Sequence, residues 1–220
     1  MRVSVVIPVY NGEAYLGEAI ESMLAQTRPA DEILVVDDGS TDHSAAVAES
    51  YPAVTVLRQA NAGHLAARNL GLKTATGDLV ALLDADDRSR PQRLALQLAA
   101  FGARPETAVC FGQVLHFWTP EHDQGLPLPY PDPVPAPSNT LMAWRKTFEQ
   151  VGYFDEAWNH AGQTDWLLRV QAAELGRLVL DEVLVERRLH PASLSARGAA
   201  ESREEHLRLV KRTLDRQRGR

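Results

Sequence analysis

Apolar positions recur along the first hundred residues in two alternating rhythms. Short, mostly apolar runs at 3–9, 32–36, 53–57 and 79–83 read as buried strands. Between them the spacing turns helical. Tyr15, Leu16, Ala19, Ile20, Met23 and Leu24 predict one amphipathic helix, residues 44–50 a short one, and residues 63–73 another that Gly77 breaks. Leu94, Leu98 and Phe101 form the buried face of a fourth helix, with Pro91 suited to its first turn. Pro8 has no N–H to donate and is expected at the end of the first strand.

Strand and helix alternating in this way imply right-handed βαβ units and a parallel sheet covered by helices on both faces. Ligands of such sheets bind at the carboxyl ends of the strands. Those ends are residues 8–11, Asp37 with Asp38, and Asp84 to Asp86. Past Phe117 the pattern changes. Residues 119–137 are proline-rich without helical periodicity, and are expected to form a long loop that walls or lids an acceptor site. Trp166, Leu167, Val170 and Ala173 then predict a helix, residues 178–180 a strand, and Leu207, Val210 and Leu214 the docking face of a terminal helix.

Composition narrows the class. At 220 residues the chain can bury one sizeable core, or one core with a small subdomain. Cys110 is the only cysteine, so no intrachain disulfide forms. No apolar run approaches the roughly 18 residues of a membrane span, and the first ten residues read as a strand and not a signal peptide. A cytoplasmic protein is expected. The net charge of −6 argues against nucleic acid as a partner. Residues 211–220 reverse the sign, with five basic residues against Asp215. Either a solvated helix end or a peripheral contact with an anionic membrane fits that reversal.

Candidate chemistry centres on residues 80–87, where an apolar run ends in Asp84, Asp86 and Asp87. Ionised carboxylates are costly to bury unpaired, so the sheet is expected to deliver them to its edge, where a cation neutralises them. Two acids one residue apart suit a hard metal also bridged by a nucleotide's phosphates. Neither a P-loop nor a G-x-G-x-x-G fingerprint is present. Instead the first strand ends in Pro8-Val-Tyr-Asn-Gly12, whose backbone can hydrogen-bond a base while Tyr10 packs along it. Asp38 is an acceptor suited to an imino N–H such as that of uracil. The Asp37-Asp-Gly-Ser stretch also reads as a capping turn, a task for which one of the two aspartates suffices. Asp84 and Asp86 would take the ribose and, through a metal, the diphosphate.

Val5-Val-Ile-Pro-Val-Tyr-Asn11, Val35-Val-Asp-Asp-Gly-Ser-Thr-Asp42, Asn61-Ala-Gly63 with Ala67-Arg-Asn-Leu-Gly71, and Gly77-Asp-Leu-Val-Ala-Leu-Leu-Asp-Ala-Asp-Asp87 closely resemble the family-2 glycosyltransferases of GT-A fold. The likeness runs in order over residues 1–110. It implies an α/β fold with a Rossmann-like, mostly parallel twisted sheet flanked by helices and a small acceptor-side extension. It further implies a nucleotide-sugar donor, Mn²⁺ or Mg²⁺, and inversion at the anomeric carbon. On this resemblance Pro8, Tyr10, Asn11, Glu13, Asp38, Gly63, Arg68, Asp84, Ala85, Asp86 and Arg188 bind the donor, Arg68 chiefly by bracing the aspartates. Residues 1–110 are then the nucleotide-sugar half, 111–200 the acceptor and base half, and 201–220 a basic tail.

The second half resembles the family more loosely. Val151-Gly-Tyr-Phe-Asp-Glu156 followed by Gly162-Gln-Thr-Asp-Trp166 is similar to the segment that carries the catalytic base, usually Glu-Asp or Asp-Asp. Here the pair is Thr164-Asp165, which makes Asp165 the matching residue. Arg188-Leu-His-Pro-Ala-Ser-Leu-Ser195 resembles an element that contributes a metal or diphosphate contact, and so Asp86 and His190 are the implied metal ligands; a structural histidine is the other reading. Membrane helices and a Q-x-x-R-W element, typical of processive synthases in the family, are missing, which favours addition of one sugar. The acceptor stays open among glycan, lipid-linked sugar, small molecule and peptide. A nucleotidyltransferase would bring a Gly-rich loop after the first strand, and a non-catalytic scaffold would have eroded aspartates.

Overall fold

The computed structural model describes residues 1–119, 121–123, 125, 127–191, 193, 196 and 198–218. One sheet organises them. The strands are β1 (Val3–Val9), β2 (Glu32–Asp37), β3 (Thr55–Arg58), β4 (Leu79–Leu82), β5 (Arg88–Ser89), β6 (Thr107–Trp118), β7 (Val134–Pro135), β8 (Met142–Trp144) and β9 (Gly176–Leu189). The helices are α1 (Leu16–Leu24), α2 (Ser44–Glu49), α3 (His64–Thr74), α4 (Arg93–Ala103), α5 (Pro137–Thr140), α6 (Arg145–Val151), α7 (Gly162–Ala172) and α8 (Ala199–Arg218).

The strand order is β3-β2-β1-β4-β8-β6-β9-β5, with β7 paired to β6. The first four strands run parallel, as the alternating pattern predicts. Antiparallel pairing of β8 with β4 and β6 then joins the second half to the same sheet. Pro8 lies inside β1 and not at its end. The strand tolerates it because pairing with β4 stops at Val6 and Leu82, so no ladder bond toward β4 is lost there.

Successive strand side chains point to opposite faces, and β1 divides accordingly. Val6 joins the core under α3 and α7, while Val3, Val5, Ile7 and Val9 join the core under α1 and α4. Two more expectations differ from the structure. Within residues 119–137, Val134 and Pro135 form a strand on β6, so that segment is not wholly loop. Leu207, Val210 and Leu214 are 71%, 55% and 46% exposed, and α8 docks instead through Leu209, at 2%. Leu209 lies on the far side of the helix wheel from Leu207, and the apolar spacing alone picked the wrong stripe. Among the described residues no helix is long and apolar enough to cross a membrane.

Candidate active site

The carboxylate run falls where β4 ends. Leu83 still donates to the Val6 carbonyl, and the chain then turns, with the Asp87 amide donating to the Asp84 carbonyl at 3.2 Å. Asp84, Ala85 and Asp86 emerge half-buried on that turn, while Asp87 is buried. Asp87 braces the others. Its carboxylate accepts from Asn139 Nδ2 at 2.6 Å and from the Arg188 amide at 2.9 Å. Burial, followed by the charges of Asp86 and Asp84, pushes its carboxyl well above the usual range. Asn139 also donates to Asp84 Oδ2 at 3.0 Å, and Arg68 holds Asp84 Oδ1 from the other side. Arg68 thus takes the bracing position expected of it.

Asp86 and His190 meet. The His190 Nε2 atom is 3.0 Å from Asp86 Oδ2, and its ring lies 4.9 Å from that of Tyr15. Arg188 sits beneath them. Its Nε donates to the Asp86 carbonyl at 2.9 Å, its Nη2 to Glu18 at 2.6 Å, and the guanidinium lies between the Tyr15 and Phe117 rings at 4.4 and 4.8 Å. It is positioned to support the turn. Of the 188–195 element, Ala192, Leu194 and Ser195 lie outside the described residues, as does Arg220 of the basic tail.

Two strands away, at the end of β2, Asp38 is 2% exposed. It accepts from Gln59 Nε2 at 2.7 Å and from the Ala62 and Gly63 amides at 2.9 Å each, which pins the loop leading into α3. Gly63 has φ +95°, a region open to glycine. Asp37 takes the capping role, accepting from the Ser40 amide at 2.9 Å. Gly39 in that turn has φ +75°, and a Cβ there would lie 2.7 Å from the Asn61 nitrogen. Asn11 and Glu13 also serve the turn: Asn11 Oδ1 accepts from the Thr41 amide at 2.8 Å, and Glu13 from the His43 amide at 2.8 Å. Tyr10, 53% exposed, stands free at the rim, and Pro8 is buried.

Asp165 is not brought to this cluster. Its Oδ2 accepts from Arg169 Nε at 3.0 Å and its Oδ1 from Arg212 of α8. Burial acts to lower the Arg212 guanidinium, and Asp165 with Asp155 outweighs it and raises it. The α7 side chain that does reach the cluster is Gln163, whose Oε1 accepts from Arg68 Nη1 at 3.2 Å. Gln163 and Asn139 were missed in the sequence, since isolated amides carry no pattern. His64, at the start of α3, is a neutral imidazole: burial, then Arg68, pushes it down to about 4.

The donor set can be tested for a cation. Among the described residues no group of three His, Cys, Asp or Glu side chains is arranged to hold a metal. Asp86 and His190 offer one carboxylate and one imidazole side by side, a pair that fits an ion whose other ligands are phosphate oxygens and water.

Comparison with known proteins gives a family. The model of Glycosyl transferase family 2 matches residues 4–174. An uncharacterized glycosyltransferase of Escherichia coli (strain K12), YibD, is 47% identical over 94 residues, covering 41% of this chain and 27% of its own. Another, from Nostoc sp., is 48% identical over 99 residues, 43% of this chain and 31% of its own. The chain therefore spans about a third or less of these relatives. S. aureus TarS 1–349 in complex with UDP superposes with TM-score 0.67 at 26% identity, over 87% of this chain and 61% of that one. The mannosyltransferase PcManGT of Pyrobaculum calidifontis, in complex with GDP-Man and Mn²⁺, gives TM-score 0.67 at 22% identity over 89% and 59%, a likeness of GT-A fold alone.

Proposed function

The chain belongs to glycosyl transferase family 2, and from that premise we propose that it moves one sugar from a nucleoside-diphosphate sugar to an acceptor hydroxyl, with inversion. The proposed donor base is uracil, and the proposed ion Mn²⁺ or Mg²⁺. The observation that carries the reading is the meeting of Asp86 and His190 on the turn that also carries Asp84 at the carboxyl end of β4, two strands from Asp38 at the end of β2. The UDP held by the TarS neighbour supports the choice of base.

In this reading the chain's own residues divide the work. Asp38, with lone pairs left over from its loop contacts, accepts the imino N–H of the base, and Tyr10 packs along it. Pro8, Asn11, Glu13, Gly63 and Ala85 shape the wall around the nucleotide. Asp84, held by Arg68 and Asn139, takes the ribose hydroxyls. Asp86 and His190 would hold the ion, with Arg188 fixing the Asp86 backbone. When bound, such an ion offsets the negative charge that grows on the departing diphosphate. Holding donor and acceptor in one cleft removes much of the remaining barrier. Asp165, expected from the sequence as the base, has both oxygens bound by arginines, and the geometry supports that role least. A second reading draws on the same observation: a scaffold that binds the donor without turnover. Peripheral contact of α8 with an anionic membrane belongs to the proposal as well, on the strength of exposed Leu207, Val210 and Leu214 beside Arg203 and Lys211.

Incubation with UDP-GlcNAc and Mn²⁺, followed by proton NMR of the freed sugar, tests the reading. Release of UDP with the β-anomer formed first from the α-linked donor is the expected result. The α-anomer first would overturn inversion, and binding without any release would favour the scaffold.

A further inference from the structure

Gln163 and Asp165 stand two residues apart in the first turn of α7. At 3.6 residues per turn their side chains leave the helix about 200° apart, so only one of them can face the aspartate cluster. Gln163 is that one. Its Oε1 accepts from the same guanidinium that holds Asp84. Its Nε2 donates at 2.8 Å to the carbonyl of Pro137, the first residue of α5, which also carries Asn139. The side chain is therefore fixed at both ends, by the guanidinium that holds Asp84 and by the short helix that carries Asn139.

Asp165 faces the other way; both side chains are buried, Gln163 at 6% and Asp165 at 2% exposure, and they differ in what they touch. Arg169, bound to one of its oxygens, also donates to the carbonyls of Val151, Gly152 and Tyr153, at 2.6, 3.2 and 2.8 Å. Arg212, bound to the other, also reaches Asp155 at 3.3 Å and lies 4.7 Å from the Trp158 ring. Together these contacts tie α7 to the 151–155 segment and to α8.

We propose that Gln163, not Asp165, is the cleft-facing residue of α7, a positioning residue that sets Asp84 through Arg68, and that Asp165 is a latch holding α8. The first part rests on the donor reading; the latch does not. The consequence concerns the proton. An amide does not take up a proton at neutral pH, so the acceptor hydroxyl gives its proton to water. Its oxygen forms the bond to the anomeric carbon, and the bond from that carbon to the diphosphate breaks with its electron pair on the nucleoside diphosphate.

The test uses the full chain with Mn²⁺, and UDP-GlcNAc hydrolysis as the readout. Gln163→Glu places a carboxylate where the amide stands. Turnover is expected to rise at least about tenfold, toward the 10²–10⁴ of a general base, with a new acid limb in its pH profile. No rise overturns the cleft assignment. Asp165→Asn is expected to lower the melting temperature, while turnover measured well below it stays within about threefold. A collapse of turnover at unchanged melting temperature overturns the proposal and restores Asp165 as the base. Arg212→Met breaks the latch from the α8 side, and its stability loss should be non-additive with that of Asp165→Asn; simple additivity overturns the latch. Should the unaltered chain bind no UDP, the donor reading fails, and the melting temperatures still decide the latch.

Discussion

At the scale of single residues, the proposed site separates groups offered to a ligand from groups that hold those in place. Asp86 and His190 belong to the first kind; Asp87, Asn139, Arg68 and Arg188 belong to the second. His64 adds a titrating neighbour. The unfolded chain protonates this histidine near 6.5, whereas the folded one, through burial and then Arg68, does so only near 4. The folded state therefore binds fewer protons between those values. Stability that His64 leaves intact above 6.5 is lost as pH falls toward 4. A His64→Gln variant should lose less melting temperature between pH 6.5 and 4 than the unaltered chain, as measured by calorimetry in matched buffers. Identical slopes would contradict the assignment.

At the scale of elements, α8 offers the sharpest contrast. Leu209 is buried in the core under α7, and Leu209→Ala should cost about 2–5 kcal/mol in denaturant unfolding. Leu207→Ala, on the exposed stripe, should change stability by less than about 0.5 kcal/mol. Under the membrane proposal the same Leu207→Ala change weakens co-sedimentation with phosphatidylserine vesicles, and unaltered co-sedimentation removes that contact. What was legible in the sequence follows from burial. Strands β1, β2 and β4 are buried throughout or nearly so, and each reads as a mostly apolar run. By contrast β9 extends over Gly176–Leu189 with mostly part-exposed positions and charged residues, so only residues 178–180 stood out. The short β5, β7 and β8 owe their conformation to pairing with distant strands, a long-range cause that no local pattern records.

At the scale of the whole molecule, a parallel half presents its strand ends on one rim, and the antiparallel pairings of β8 and β6 bring Asn139, Gln163 and His190 to it. The aspartates at β2 and β4 were readable because they end apolar runs. Arg68, Arg188 and His190 were named through the family resemblance, whereas Asn139 was not, because it lies 52 and 55 positions from the aspartates it orients and an amide in isolation shows nothing of its role. Asp165 stood out in the sequence by its resemblance to a motif, whereas its orientation depended on Arg212, at 47 residues' distance. Under the proposed function this rim binds a nucleoside diphosphate through a cation on Asp86. The most direct measurement is thermal unfolding of the unaltered chain and of Asp86→Ala with UDP, GDP, CDP and dTDP, each with and without Mn²⁺. A ligand at about 100 times its dissociation constant adds roughly 2.7 kcal/mol. A Mn²⁺-dependent shift with UDP, abolished by Asp86→Ala, is the expected result. No shift with any nucleotide, or a UDP shift that survives in Asp86→Ala with its Mn²⁺ dependence intact, would contradict it.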